Sequence, residues 1–207
     1  MSKRPLAAPV ELPDPGLPIP PPELFVRIAS GYSNAQEDTY AEGFVASGRS
    51  SVRDLQRALS GIGAELTDFT RILDFGCGPG RMLRRLAAIA EGREIWGVDV
   101  DGMIIDGARD TPPCAQLGVT AGNPPLSFPD GHFDLVYNHS VLTHLPEDMQ
   151  DRWPEELQRV TAPGGIVVLT THGPAQLEIT EEAMRGAGDD PALLRGELER
   201  QGITFIA

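Results

Sequence analysis

The sequence predicts an α/β fold, a doubly wound and mainly parallel sheet with helices on both faces, behind an N-terminal helical cap. Three observations predict it. From Arg71 onward, short apolar runs alternate with amphipathic stretches. The first run ends in a glycine loop, Gly76-Cys77-Gly78-Pro79-Gly80, that leads into a helical pattern. The runs are apolar throughout rather than alternating, as strands covered on both faces must be. With 207 residues, 41% hydrophobic and 23% charged, the chain can bury a core of ordinary size.

Residues 1–22 hold eight prolines, including Pro20, Pro21 and Pro22, and read as an extended, poorly ordered arm. The segment 23–66 reads as a cap of two or three helices. Leu24, Phe25 and Ile28 mark the first, and Tyr40, Phe44 and Val45 a second. Ser51 with Asp54 three residues on resembles a capping box that opens a third. Val52, Leu55, Leu59 and Ile62 continue it at helical spacing, and Gly61 and Gly63 end it. The domain proper is assigned to 67–207, with its core at 71–172.

Within that core, Arg71–Phe75 is the first strand. Arg81–Glu91 is an amphipathic helix with Arg84 and Arg85 off its apolar face. Strands follow at Glu94–Val98, Ala115–Val119, His132–Tyr137 and Ile166–Thr170, the last announced by the turn Pro163-Gly164-Gly165. Gly102–Arg109 and Pro146–Val160 are the intervening helices, and Pro154 must kink the latter or start a new segment.

Charge and cysteine content exclude several classes. Lys and Arg number 17 against 30 Asp and Glu, a net charge of −13 with a pI near 4.6. An acidic surface repels nucleic acid backbones and anionic membranes. No apolar run reaches membrane-spanning length, and no secretory signal follows Met1. Two cysteines, Cys77 and Cys114, make no disulfide framework, so the expected setting is cytoplasmic.

The loop Asp74-Phe75-Gly76-Cys77-Gly78-Pro79-Gly80-Arg81 carries the chemistry. Glycine lets a ligand approach the backbone, and N–H groups opening a helix favour an anionic ligand group. The dinucleotide fingerprint needs a third glycine where Arg81 stands, and its side chain would crowd the helix–strand contact. No Gly-Lys-Ser/Thr follows, so a P-loop is excluded too. Asp99, nineteen residues after Gly80 at the end of the second strand, suits a ribose diol. Asp101-Gly102 hints at a calcium loop whose other ligand positions are missing.

DFGCGPGR followed by GVD resembles the cofactor-binding half of class I S-adenosylmethionine-dependent methyltransferases. The resemblance continues through Gly122-Asn123, Leu126–Asp134, Leu157–Val160 and Pro163-Gly164-Gly165, over residues 71–172. It implies a Rossmann-like sheet that ends in antiparallel strands, and S-adenosylmethionine as cofactor. It also implies roles. Asp74 would organise the loop around the cofactor's amino acid end, and Gly76, Gly78 and Gly80 would allow its approach, with Cys77 a small filler between them. Asp99 would hold the ribose. Val100 and Met103 would pack on the adenine with Asn123 near its amino group. Asn138 and His139 would lie under the methionine portion.

The run Ser140–Leu145, with Pro20–Pro22 ahead of the cap, is similar to a bacterial subgroup found near glycan-modifying enzymes. The implied acceptor is a small molecule or a glycan-linked group. Methyl transfer from a sulfonium is an in-line displacement that needs a base only when the acceptor must lose a proton. His144 is the candidate base, and packing within the turn before Pro146 is its competing role. His139 and His144 lack metalloprotease spacing, so no metal is expected. Tyr32 and Arg53 are read as covering the cofactor or as packing and surface groups. Trp96 and Trp153 are read as core residues.

Two function classes stay open, a methyltransferase and a non-catalytic cofactor- or partner-binding domain. A nucleic acid methyltransferase ranks third, since Asn123-Pro124-Pro125 precedes strand four instead of following it. After His172, helices around Thr180–Arg185 and from Asp190, with a short strand Ile203–Ala207, leave too little chain for two further strands. An incomplete sheet edge is the expectation there.

Overall fold

A computed structural model of the chain describes residues 11–21, 23–26, 37–109 and 114–171, with residues 178, 181, 182, 185, 186 and 192 beyond them. The chain divides into two compact units, Met1–Thr170 and Thr171–Ala207. In the first, the apolar runs become five strands: β1 (Arg71–Phe75), β2 (Glu94–Asp99), β3 (Gln116–Val119), β4 (Phe133–Asn138) and β5 (Thr161–Val168). All pair in parallel in the order β3-β2-β1-β4-β5. The predicted doubly wound sheet is therefore present, and the described strands are wholly parallel. The order reverses between β1 and β4, which opens a crevice at their carboxyl ends.

β1 sits at the centre, so both its faces are buried. Ile72 and Leu73 point to opposite sides, as alternate strand residues must. Ile72 joins Ile95, Leu135, Leu83 and Leu86 in one cluster. Leu73 joins Val136, Trp153, Leu157 and Val160 in the other. Each fully buried Leu or Ile contributes roughly 1.5–3 kcal/mol.

The cap differs from the reading by sequence. A single helix, α2 (Glu37–Gly61), follows the short α1 (Glu23–Val26). Ser51 is buried inside α2 and caps nothing. Phe44, Gly48, Val52, Leu55 and Leu59 form one continuous apolar stripe, so two expected helices merge into one. Ile62, counted into that stripe, is 66% exposed because the helix has ended.

The helix expected at Arg81–Glu91 shrinks to α3 (Leu83–Leu86) and a 3-10 turn, Ala87–Ile89. Arg84 and Arg85 are buried, not solvent-facing. Arg84 bonds the Asp14 carboxylate at 2.7 Å and the Pro18 carbonyl at 2.9 Å. Arg85 donates to the carbonyls of Leu12 and Val45 at 3.3 and 3.0 Å. Residues 11–21 form neither helix nor strand, and they are not a detached arm, since Leu12 is in the core. A proline-rich backbone offers carbonyls with few donors of its own, and the two guanidinium groups supply the donors.

Among the remaining elements, α4 (Gly102–Ala108) is capped by Asp101, which accepts the Met103 N–H at 2.9 Å. That places Asp101 as an N-cap rather than part of a calcium loop. α5 (Glu147–Val160) runs through Pro154 as one element, with Glu147 and Asp148 in its first turn and Arg159 in its last, favourable for the helix dipole. β5 begins at Thr161, so the expected Pro163-Gly164-Gly165 turn is an irregularity within the strand. Its register slips between Phe133↔Thr161 and Leu135↔Ile166. In the second unit, the helical residues Glu181 and Arg185 pair at 3.0 Å. Tyr32, His172, the helix from Asp190 and the strand Ile203–Ala207 lie outside the described residues. No described helix is long and apolar enough to cross a membrane.

Candidate functional site

β1 delivers Asp74 and Phe75 to the carboxyl edge of the sheet, and the chain then turns through Gly76, Gly78 and Gly80 at φ 75°, 53° and 83°. These left-handed angles favour glycine. At Gly76 a side chain is also excluded by space, since a Cβ there would stand 2.2 Å from Val141 Cγ2. The loop is braced from β2. Asp99 accepts the Gly78 N–H at 2.9 Å and the Asp101 N–H at 3.0 Å. Each of its oxygens keeps a further lone-pair direction for a ligand hydroxyl.

The end of β4 forms the opposite wall. Asn138 accepts the Thr170 N–H at 3.0 Å, and Ser140, at φ 65°, donates its N–H to Thr170 Oγ1 at 2.7 Å. A non-glycine residue in this conformation stores strain of the kind found at ligand sites. A 3-10 turn, Leu142–His144, follows.

These pieces enclose a cavity of about 700 Å³ at the carboxyl ends of β1, β2 and β4. The size is that of a pocket for a small molecule or cofactor. Of the residues expected at the site, Asp74, Gly76, Cys77, Gly78, Asp99, Val100, His139 and His144 line it. Gly80, Met103, Asn123 and Asn138 do not. Gly80 shapes the turn, Gly122 lines the wall in place of Asn123, and Asn138 is tied to Thr170. Arg53 is held away by Glu11 at 3.3 Å. Phe44 and Ser47 of α2, together with Arg81, complete the lining. The helical spacing of Phe44 marked it as apolar packing, and nothing in the spacing marked it as a cavity wall.

The electrostatics are set by burial. Asp74 is buried, and loss of hydration raises its pKa to about 7. Tyr137 and Arg81 oppose the rise, whereas the Asp99 charge adds to it. Burial pushes the Cys77 thiol well above its ordinary value, which fits a filler and not a nucleophile. Burial and the Arg81 charge lower His139. Arg81 Nη2 lies 2.7 Å from His139 Nδ1, and a guanidinium only donates. Nδ1 is therefore the bare nitrogen, and the proton of neutral His139 sits on Nε2. The His144 side chain is exposed and lines the cavity, with no hydrogen bond to another described residue.

An acidic lining of Asp74, Asp99 and Asp101 suits a cation, and a glycine loop with a paired carboxylate suits a ribose. Residues 73–169 match a family described as a methyltransferase domain. The chain is 34% identical over 137 residues to the biotin biosynthesis bifunctional protein BioHC of Cellvibrio japonicus, covering 61% of this chain and 25% of that one. It is 33% identical over 133 residues to the malonyl-[acyl-carrier protein] O-methyltransferase of Halorhodospira halophila, covering 60% of this chain and 42% of that one. The chain thus spans less than half the length of these curated relatives. In fold it is similar to the PH0226 protein of Pyrococcus horikoshii, with a TM-score of 0.53 and 22% identity over 79% of this chain and 68% of that one.

Proposed function

We propose that residues 73–169, which match a family described as a methyltransferase domain, form a class I S-adenosylmethionine-dependent methyltransferase domain, and that the protein transfers a methyl group to a small-molecule acceptor, free or carried on a larger group. The observation that carries the reading is the cavity at the sheet's switch point, with the glycine loop, Asp74 and Asp99 on one side and His139–His144 on the other. The relative that methylates a malonyl group on an acyl carrier supports a carrier-linked acceptor, and the glycan-linked acceptor expected from sequence is a variant of the same idea.

S-adenosylmethionine supplies a methyl group activated by a positive sulfur. The chain's own residues do the rest. Asp99 would hold the ribose hydroxyls, and Val100 and Ile104 offer an apolar shelf beside it. Asp74 and its neighbours provide negative charge for the cationic end. Phe44, Leu145 and Trp153 add apolar wall that would exclude water from the reaction volume. Holding an acceptor in line within such walls supplies much of the acceleration. His144, facing the cavity with no side-chain hydrogen bond to another described residue, would take the proton from an acceptor that must lose one.

Calorimetric titration tests the cofactor: S-adenosylmethionine and S-adenosylhomocysteine are expected to bind and NAD is not. Transfer of labelled methyl from S-adenosylmethionine to a panel of acids, phenols, amines and acyl-carrier conjugates then tests the activity. Binding without transfer to any acceptor would turn the reading to a non-catalytic binding domain. His144→Ala is expected to lower turnover about 10²–10⁴-fold with unchanged S-adenosylhomocysteine affinity, and full turnover would remove His144 from the mechanism.

A further inference from the structure

Three features of the cavity point to one residue. The first is charge. Among the described residues its lining holds three carboxylates, Asp74, Asp99 and Asp101, and a single Lys or Arg, Arg81. The second is the state of the glycine loop. Sequence alone suggests that its N–H groups receive an anionic ligand group. In the structure those of the turn itself, Gly76–Gly80, bond within the fold. Gly76 and Cys77 both donate to the Val98 carbonyl, at 2.8 and 3.0 Å. Gly78 donates to Asp99 at 2.9 Å and Gly80 to the Cys77 carbonyl at 3.1 Å, while Pro79 has no N–H. The loop makes room for a ligand, while its own N–H groups from Gly76 to Gly80 are held within the fold.

The third feature is how Arg81 is held. Its guanidinium meets two neutral acceptors among the described residues, His139 Nδ1 at 2.7 Å and Ser47 Oγ at 3.3 Å. Two of five N–H donors are used, and neither acceptor balances the charge. The backbone is fixed as well, because α2 packs on it at Gly48, where a Cβ would stand 2.4 Å from the Arg81 carbonyl oxygen. Arg81 is therefore a positioned cation with donors to spare, on the wall of an otherwise acidic cavity.

We propose that Arg81 binds the carboxylate of the cofactor's amino acid end, with His139 and Ser47 as positioning residues that aim its guanidinium. The proposal rests on the cofactor reading above. An α-amino acid end carries both signs, and the cavity places Arg81 among carboxylates that suit the ammonium. The residue that disqualifies the dinucleotide fingerprint is, on this view, the one that selects a cofactor ending in an amino acid.

The test compares two ligands that differ by one group. S-adenosylhomocysteine and its decarboxylated analogue, which keeps the ammonium, are titrated by calorimetry into the full chain and into Arg81→Ala and Arg81→Lys. The unaltered protein is expected to prefer S-adenosylhomocysteine. Arg81→Ala is expected to weaken S-adenosylhomocysteine about 10–100-fold, as loss of a charge-assisted bond predicts, and to leave the analogue within about threefold. Arg81→Lys recovers part of the loss, since a point charge replaces a fork. Ser47→Ala gives a smaller loss confined to the same ligand. Equal weakening of both ligands by Arg81→Ala, or no weakening of either, overturns the proposal, the second result assigning Arg81 to the acceptor. If the unaltered protein binds neither ligand, the cofactor reading itself falls and takes this proposal with it.

Discussion

The two ends of the sheet handle polar groups in opposite ways. At the amino ends of the strands the chain answers its own groups. Asp134 accepts the Thr70 and Arg71 N–H groups at 2.9 and 2.8 Å, with the Thr70 hydroxyl at 2.8 Å. Glu94 accepts from Trp96 at 2.8 Å and faces His132 at 3.0 Å. Glu156 accepts the Leu126 N–H at 2.7 Å and pairs with Arg159 at 2.6 Å. At the carboxyl ends, Asp74 is buried with a pKa near 7, Ser140 sits in a left-handed conformation, and Arg81 leans on neutral partners. Val100 and Met103 are about 60% exposed there. One end is finished by the fold, and the other carries costs that a bound cation and its carboxylate would offset.

The sharpest way to break this comparison is Gly76→Ala. The new Cβ meets Val141 and the left-handed angle is strained, so a loss of about 3–4 kcal/mol in urea unfolding is expected, together with loss of S-adenosylhomocysteine binding. Retained binding would show that the loop and the 139–141 wall move apart freely.

Asp74→Asn comes next and has the opposite sign for stability. The folded pKa of Asp74 is raised from 3.8 to about 7, so the native state binds more protons than the unfolded chain in that window. Stability of the ligand-free protein therefore falls as pH rises from about 4 to about 7. The Asn variant lacks this penalty and is expected to be up to about 4 kcal/mol more stable at pH 8, with little difference at pH 4. It should also bind S-adenosylmethionine more weakly. Stability profiles that stay parallel from pH 4 to 8 would contradict the raised value.

The mildest test lies at the other end. Arg159 holds the Glu156 carboxyl below its ordinary range, so its contribution is present above about pH 4.5 and lost as pH falls through the lowered value. Glu156→Ala is expected to cost about 1–2 kcal/mol near neutral pH and to leave ligand affinity unchanged. A change in affinity would show that the two ends are coupled.

The strands were legible because β1, β2 and β4 are buried on both faces and must be apolar along their length. The loop was legible because left-handed turns and close approach restrict the residue type to glycine. Arg84 and Arg85 were misread because helical spacing cannot register carbonyls brought from residues seventy positions earlier. Ser51 was misread because capping and mid-helix serines look alike until the helix before them is seen to continue. Met103 and Asn123 followed the motif but not the wall of the cavity, where Ile104 and Gly122 stand instead.

By itself the sequence determined the alternation of strands and helices, the position of the glycine loop and the pairing of that loop with Asp99. Those features depend on local period and on residue types that few others can replace. Only the tertiary structure decided which N–H groups remain for a ligand, that α2 supplies Phe44 and Ser47 to the site, and that Arg81 faces the cavity beside His139. These depend on partners distant in sequence, and a hydrogen bond already made within the fold leaves no trace in the residues that make it.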